Sequence, residues 1–268
     1  MSNVRDAYDY AVLQVESGAG AVIVTHGTDT LEESALLFDL WWDRPEPVVF
    51  TGAMRSSDQP GPDGPANLYA AVAIALSENS RNRSVLVVMN DEIFEARNVC
   101  KVDTFSPAAF RAINGAAIGR FIEGTVHWNH QRPSKRIALP APINSVSVAL
   151  IGAGLSEDGS YLPAIANHVD GLVVDGVGAG HVSAACADVL ESLNASIPVV
   201  VASRTGHGPT GTRTYGYLGA EVDLLRRGIM LTGYLSAVQA RVVLLACLAA
   251  GLSASEIQVI IGAVVERE

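Results

Sequence analysis

The feature that most constrains this chain is a repeated alternation of short apolar runs with longer amphipathic stretches. Gly20–Val24, Pro47–Phe50 and Ser84–Met89 read as strands. Arg5–Glu16, Leu31–Trp42 and Asp63–Glu78 read as helices, the last with Pro65 in its first turn. A strand that is apolar at consecutive positions is buried on both faces, and that is the pattern of a parallel sheet covered by helices. From Asn90 to Trp128 the periodicity loosens into loop, a short helix and a hairpin. Residues 132–145, RPSKRIALPAPINS, carry three prolines and read as a linker. A second alternation follows: strand Val146–Ile151, helix Leu162–Asn167, strand Gly171–Val174, helix Val182–Asn194, strand Pro198–Ala202, then helices Ala237–Ala250 and Ala254–Val265. The expected fold is α/β, with a parallel-sheet N-terminal domain over residues 1–131 and a smaller α/β C-terminal domain over 146–268.

Charge narrows the choice of partners. The 268 residues have a net charge of -10 and no basic run, which excludes a phosphate-tracking nucleic-acid surface. The apolar stretch Ala240–Gly251 is interrupted by Arg241 and is too short to cross a bilayer. The segment MSNVRDAYDY has no apolar signal core, so a cytoplasmic location and no membrane partner are expected. Cys100, Cys186 and Cys247 lie far apart without a CxxC pairing and read as buried small hydrophobes.

The basic residues are 16 Arg and two Lys, Lys101 and Lys135. Where a generic solvated cation is needed, this chain uses arginine. Lys135 adjoins Arg136 in the Pro-rich stretch and needs no special account. Lys101 lies among apolar neighbours in VCKVDTF, just past a strand, and lysine can lose its proton when desolvated whereas arginine cannot. The segment AVIVTHGTDTLEES, residues 21–34, places Thr25-His26-Gly27-Thr28-Asp29 at the carboxyl end of a strand, where open α/β sheets bind ligands. Thr30 and Glu33 have the spacing of a capping box for the following helix. A threonine hydroxyl needs a base to become a nucleophile, a neutral lysine amine can be that base, and an aspartate can orient it. Thr28, Lys101 and Asp29 supply the three parts, with Lys101 expected on the same sheet edge as Thr28 because it follows the strand Ser84–Met89.

These segments resemble the bacterial-type L-asparaginase/glutaminase family. The resemblance begins at THGTDTLEE and continues through TGAMRSSDQPGPDGPANLY and VLVVMNDEIFEARNVCKVDTF. It extends in order through DGLVVDGVGAGHV, ASRTGHGPTGTRTYGY and QARVVLLACLAAG. It implies an amidohydrolase that converts L-asparagine, and L-glutamine more slowly, to the acid and ammonia without cofactor or metal. It also implies a homo-oligomer, dimer or tetramer, with sites shared between subunits. By the same resemblance Thr28 is the second catalytic threonine, Asp29 the substrate-binding and lysine-pairing aspartate, and Lys101 the catalytic lysine. Glu221, in GAEVDLL, matches the substrate-binding glutamate lent by a neighbouring subunit. Family members open with a strand and a TGGT-type loop whose threonine is the primary nucleophile, then a tyrosine-bearing loop and a Ser/Asp segment that grips the substrate's α-carboxylate, and all of these are expected to be missing here. Tyr8 and Tyr10 lie on a helix and do not replace them. A catalytically inactive homologue, serving as a binding protein or partner subunit, is the alternative that this expectation raises.

Other motifs read as structural. GVGAGHV, residues 176–182, has G-x-G-x-G spacing and not the G-x-G-x-x-G of a dinucleotide turn, and no acidic ribose ligand follows Pro198–Ala202. His127 and His130, in HWNH, have no Cys or carboxylate cluster beside them. His26 reads as a buried, hydrogen-bonded shaper of its turn. His181 and His207 have no partner visible in the sequence, and Trp41-Trp42 reads as packing.

Overall fold

A computed structural model describes residues 2–129, 137–140, 142 and 144–265. The stretch read as a linker, the second histidine of HWNH (His130) and Lys135 fall wholly or partly outside those residues. The chain divides into two compact units, Met1–Ala138 and Leu139–Glu268.

The first unit opens with helix α1 (Ser2–Glu16), strand β1 (Val22–Thr25), α2 (Leu31–Trp41), β2 (Val48–Thr51), α3 (Gly64–Leu76) and β3 (Val85–Met89). These three strands pair in parallel, with Val22 against Val48 and Val48 against Val85. The chain then runs through five short strands: β4 (Glu92–Glu95), β5 (Val99–Lys101), β6 (Phe110–Ala112), β7 (Gly119–Ile122) and β8 (Thr125–Trp128). The main sheet has the order β1-β2-β3-β4-β7-β8, antiparallel beyond β3, while β5 and β6 form a separate antiparallel ribbon.

Here the sequence expectation needs correction, since no short helix lies between residues 90 and 128 among those described; strands occupy the segment. The β3–β4 and β7–β8 connections are two-residue turns in which both residues have positive φ, Asn90-Asp91 and Glu123-Gly124. Such turns match the twist of the strands they join, so strands of three to five residues can pair without a long apolar run to announce them.

The sheet is covered on both faces, as the unbroken apolar strands required. Val48, Phe50, Val85, Val87 and Met89 face a core shared with Leu31, Phe38 and Trp42. The intervening Val49, Leu86 and Val88 face a second core with Ala70, Ala71 and Ile74 of α3. Tyr8 of α1 packs edge-on against Phe38, Trp41 and Trp42 and donates its hydroxyl to the Trp41 carbonyl. That accounts for the Trp pair as packing.

The second unit contains β9 (Val148–Gly152), α4 (Leu162–Ala166), β10 (Gly171–Gly176), α5 (Ala184–Asn194), β11 (Val199–Ser203), α6 (Glu221–Arg226), β12 (Met230–Leu231), α7 (Ala237–Ala249) and α8 (Ala254–Val265). Its four strands are all parallel, in the order β12-β11-β10-β9. Leu172, Val174, Val199 and Val201 pack on α5 and α6 through Leu190 and Leu224. Helix α7 lies so close to β10 that a Cβ at Gly171 would stand 2.9 Å from Leu248 Cδ1. The sequence reading missed α6 and β12, which are six and two residues long. The three cysteines are buried thiols, and burial pushes Cys186 up to about 11 and Cys247 up to about 12.

Candidate active site

The candidate site of the first unit stands on the turn that leaves β1. His26 N–H donates to the Thr51 carbonyl, which carries the β1–β2 pairing one residue past the strand. The chain then turns through Gly27, Thr28 and Asp29 into α2. The turn passes directly over Gly52, where a Cβ would lie 2.5 Å from the His26 carbonyl oxygen and 3.4 Å from Thr28 Cγ2. Any side chain at 52 would drive into the His26 carbonyl and shift the turn that carries Thr28, so the glycine is required by close approach. His26 Nδ1 lies 2.7 Å from the Gly27 carbonyl and Nε2 lies 3.2 Å from Ser34 Oγ, so the imidazole braces the turn, but it is partly exposed and not buried as expected.

Helix α2 begins at Leu31 as the sequence indicated, but not by the expected capping box: Thr30 occupies the N-cap position and makes no side-chain capping bond. Its backbone φ of −128° and ψ of 19° lie away from the extended conformation that aims an N-cap hydroxyl at the first turn. Glu32 and Glu33 instead place negative charge in that turn, at the positive end of the helix dipole.

Lys101 reaches Thr28 by a route the sequence did not reveal. It ends β5 in the small ribbon, paired with Phe110, and does not lie on the main sheet edge beyond β3. Glu32 of α2 ties the ribbon down: its Oε2 accepts from the Lys101 backbone N–H at 2.5 Å. Burial raises the Glu32 pKa, against the opposing pull of that N–H and of the Cys100 thiol. With its backbone held there, Lys101 Nζ lies 3.0 Å from Thr28 Oγ1 and 3.2 Å from Asp29 Oδ1. The structure thus brings together Thr28, Asp29 and Lys101, three residues singled out from the sequence. Lys101 is 17% exposed and Asp29 97% exposed. A pair with one partner in water contributes at most about 1 kcal/mol, so the contact matters for geometry and not for stability.

A partly buried polar network supports the ends of the neighbouring strands. Asp63 accepts from the backbone N–H groups of Met54 and Arg55, and Asn67 donates to the Gly52 carbonyl and accepts from Asn90 N–H. Glu32, Gly52, Asp63 and Asn67 were not singled out by sequence reasoning. Their types are those of ordinary helix and turn residues, and only their convergence on the strand ends distinguishes them.

Glu221 lies in the second unit, in the first turn of α6, and is wholly buried. Its Oε1 accepts from the N–H groups of Thr214 and Tyr215, and its Oε2 lies 2.8 Å from His181 Nε2. Burial pushes its pKa up, but the amides of Tyr215, Glu221 and Thr214 and the His181 ring outweigh it and hold the carboxyl below its usual value. His181 Nδ1 is 2.7 Å from the Tyr217 hydroxyl, so the histidine without a partner in sequence has two in space. Two of the glycines of GVGAGHV, Gly176 and Gly180, serve close packing. A Cβ at Gly176 would meet Gly180 at 2.9 Å, and Gly180 has a φ of +90°. Among the described residues no cluster of His, Cys, Asp and Glu could hold a metal ion.

Comparison with known proteins extends this picture over nearly the whole chain. Residues 6–134 match the family model "Asparaginase, N-terminal", and residues 147–261 match "Glutaminase/Asparaginase C-terminal domain". A probable L-asparaginase of Deinococcus radiodurans is 34% identical over 251 residues, 93% of this chain and 77% of that protein. L-asparaginase 2 of Escherichia coli is 36% identical over 229 residues, 83% of this chain and 64% of that protein. The crystal structure of a probable cytoplasmic L-asparaginase from Campylobacter jejuni superposes with a TM-score of 0.86 at 30% identity, covering 96% of this chain and 82% of that one. With both of its units matched in order, the chain belongs to the asparaginase family.

Proposed function

We propose that this protein hydrolyses the side-chain amide of L-asparagine, and L-glutamine more slowly, to the acid and ammonia, with Thr28, Lys101 and Asp29 as its hydroxyl-activating set. The observation that carries the reading is the Lys101 amine, 3.0 Å from Thr28 Oγ1 and 3.2 Å from Asp29 Oδ1. In its neutral form the amine takes the hydroxyl proton, the hydroxyl oxygen attacks the amide carbon, and the ammonium so formed returns the proton to the departing nitrogen; water then cleaves the resulting ester, releasing the acid and restoring the hydroxyl. Asp29, almost fully exposed, orients the amine on one side and leaves carboxylate lone pairs for the ammonium group of the substrate. Backbone N–H groups at the start of α2 are suited to the developing oxyanion. None of these steps calls on a cofactor or metal.

The identity of the relatives supports the substrate class, since those named above are L-asparaginases or probable ones. A cytoplasmic location and a linker over residues 132–145 belong to the same proposal. Among the described residues no helix is long and apolar enough to cross a membrane. Purified protein incubated with L-asparagine should release ammonia, and Thr28→Ala or Lys101→Met should cut that release by about 10²–10⁴-fold. Near-normal release from either variant would sink the assignment.

A further inference from the structure

Outside the Thr28 set, the first unit has a cleft of about 420 Å³ lined by Phe94, the small residues Gly115, Ala116 and Ala117, and the charged Arg111, Arg120 and Glu92. That volume lies within the range of small-molecule sites. None of Thr28, Asp29 and Lys101 lines it.

The charged groups come from three strands. Glu92 on β4 stands directly across from Arg120 on β7, and Arg111 comes from β6 of the separate ribbon. Arg120 Nη2 donates to Glu92 Oε1 at 2.8 Å and Arg111 Nη1 to Oε2 at 3.2 Å. One carboxylate at 15% side-chain exposure therefore holds two guanidiniums at 52% and 60%. Each guanidinium has five N–H donors, and Glu92 is the only side chain to which either one is hydrogen-bonded or ion-paired among the described residues. The group has a local charge of +1 and unspent, forked donors, in a chain whose net charge is -10. A planar carboxylate matches such a fork, and the aromatic and small-residue lining suits a short carbon skeleton better than a bare inorganic anion.

We propose that this cleft binds the carboxylate of a small organic acid, held between Arg111 and Arg120. Glu92 fixes the two guanidiniums and offers its remaining lone pairs to an ammonium group where the acid has one. An amino acid and a simple dicarboxylate share this chemistry, and affinity separates them.

The test is an amide-resolved NMR titration of the whole protein with succinate, L-aspartate and the neutral diamide succinamide. Saturable shifts at Arg111, Ala116 and Arg120 are expected with both acids and none with the diamide. Tighter binding of L-aspartate would make the ligand an amino acid, and tighter binding of succinate a dicarboxylate. Arg111→Gln and Arg120→Gln should each weaken succinate about tenfold, the usual effect of losing a charged hydrogen bond. Circular dichroism would verify that both variants are folded. Absence of shifts at these residues, equal binding of succinamide, or unchanged affinity in both variants would overturn the proposal and leave the Arg-Glu-Arg cluster as a tie between the two sheets. The readout is independent of turnover, so its outcome is distinct from that of the Thr28 assignment.

Discussion

At the scale of single residues, lysine scarcity and a threonine-rich turn were enough to pick out Lys101, Thr28 and Asp29, because their chemical types are unusual for their surroundings. Glu32 and Gly52 gave no such signal, since a glutamate in a first helical turn and a glycine after a strand are commonplace. Their importance comes from what lies against them, the Lys101 backbone N–H and the His26 carbonyl. The same holds for Asp223, which is 5% exposed at its side chain beside Arg227. The Gly219 N–H holds its carboxyl below the usual range; burial opposes this, and the Arg227 guanidinium reinforces it. A carboxylate depressed in the folded state contributes stability above its unfolded value of 3.8, and that contribution is lost as pH falls through the folded value. Asp223→Asn is therefore expected to lower stability by about 1–2 kcal/mol at pH 7 through the weakened hydrogen bonds from Gly219 N–H and Arg227, which keeps Asp188 and Glu191 as partners. The difference from the parent protein should shrink below pH ~4. Urea denaturation at pH 7 and pH 3 measures both; a gap that widens in acid would contradict the assignment.

At the scale of elements, the helices and the parallel strands were legible because each carries its own period or apolar run. What failed was detail settled by cap and turn geometry. The sequence placed a capping box at Thr30 and Glu33, whereas the structure has one at Ser236 and Gln239, before α7. There Ser236 accepts from the Gln239 N–H at 3.2 Å and donates its own N–H to Gln239 Oε1 at 3.1 Å. Ser236→Ala should cost about 1 kcal/mol. Thr30→Ala, which removes no capping bond, should cost under ~0.5 kcal/mol. Equal losses in thermal or urea melts would mean that Thr30 caps after all. Apart from the expected hairpin, the strands after β3 escaped because each is only three or four residues long and carries no alternating pattern long enough to read.

At the scale of the whole molecule, the residues nominated from the sequence fall in both units, Thr28, Asp29 and Lys101 in one and Glu221 in the other. Both oxygens of Glu221 are already held within its own unit, so a ligand would compete with His181 or with the 214–215 amides for it. We propose that a homo-oligomer, dimer or tetramer, lends Glu221 from one copy to the Thr28 of another. Mixing inactive Thr28→Ala with inactive Glu221→Gln protein, after dissociation and reassociation, should restore part of the ammonia release. Active Glu221→Gln protein, no recovery in reassociated mixtures, or a monomer by sedimentation velocity would each overturn the sharing.

By itself the sequence determined the α/β class and the order of the principal helices and parallel strands. Periodicity and apolar runs are local, and they survive in any tertiary setting. It also nominated Thr28, Asp29 and Lys101, whose residue types are informative without coordinates. Only the tertiary structure decided that Lys101 approaches Thr28 from a separate ribbon anchored by Glu32, and that His181 finds Glu221 and Tyr217. It likewise assembled Arg111, Arg120 and Glu92 around one cleft. Each of these contacts joins residues on different elements, many of them far apart in the chain, and the distance between such residues is fixed by packing rather than by any pattern along the sequence.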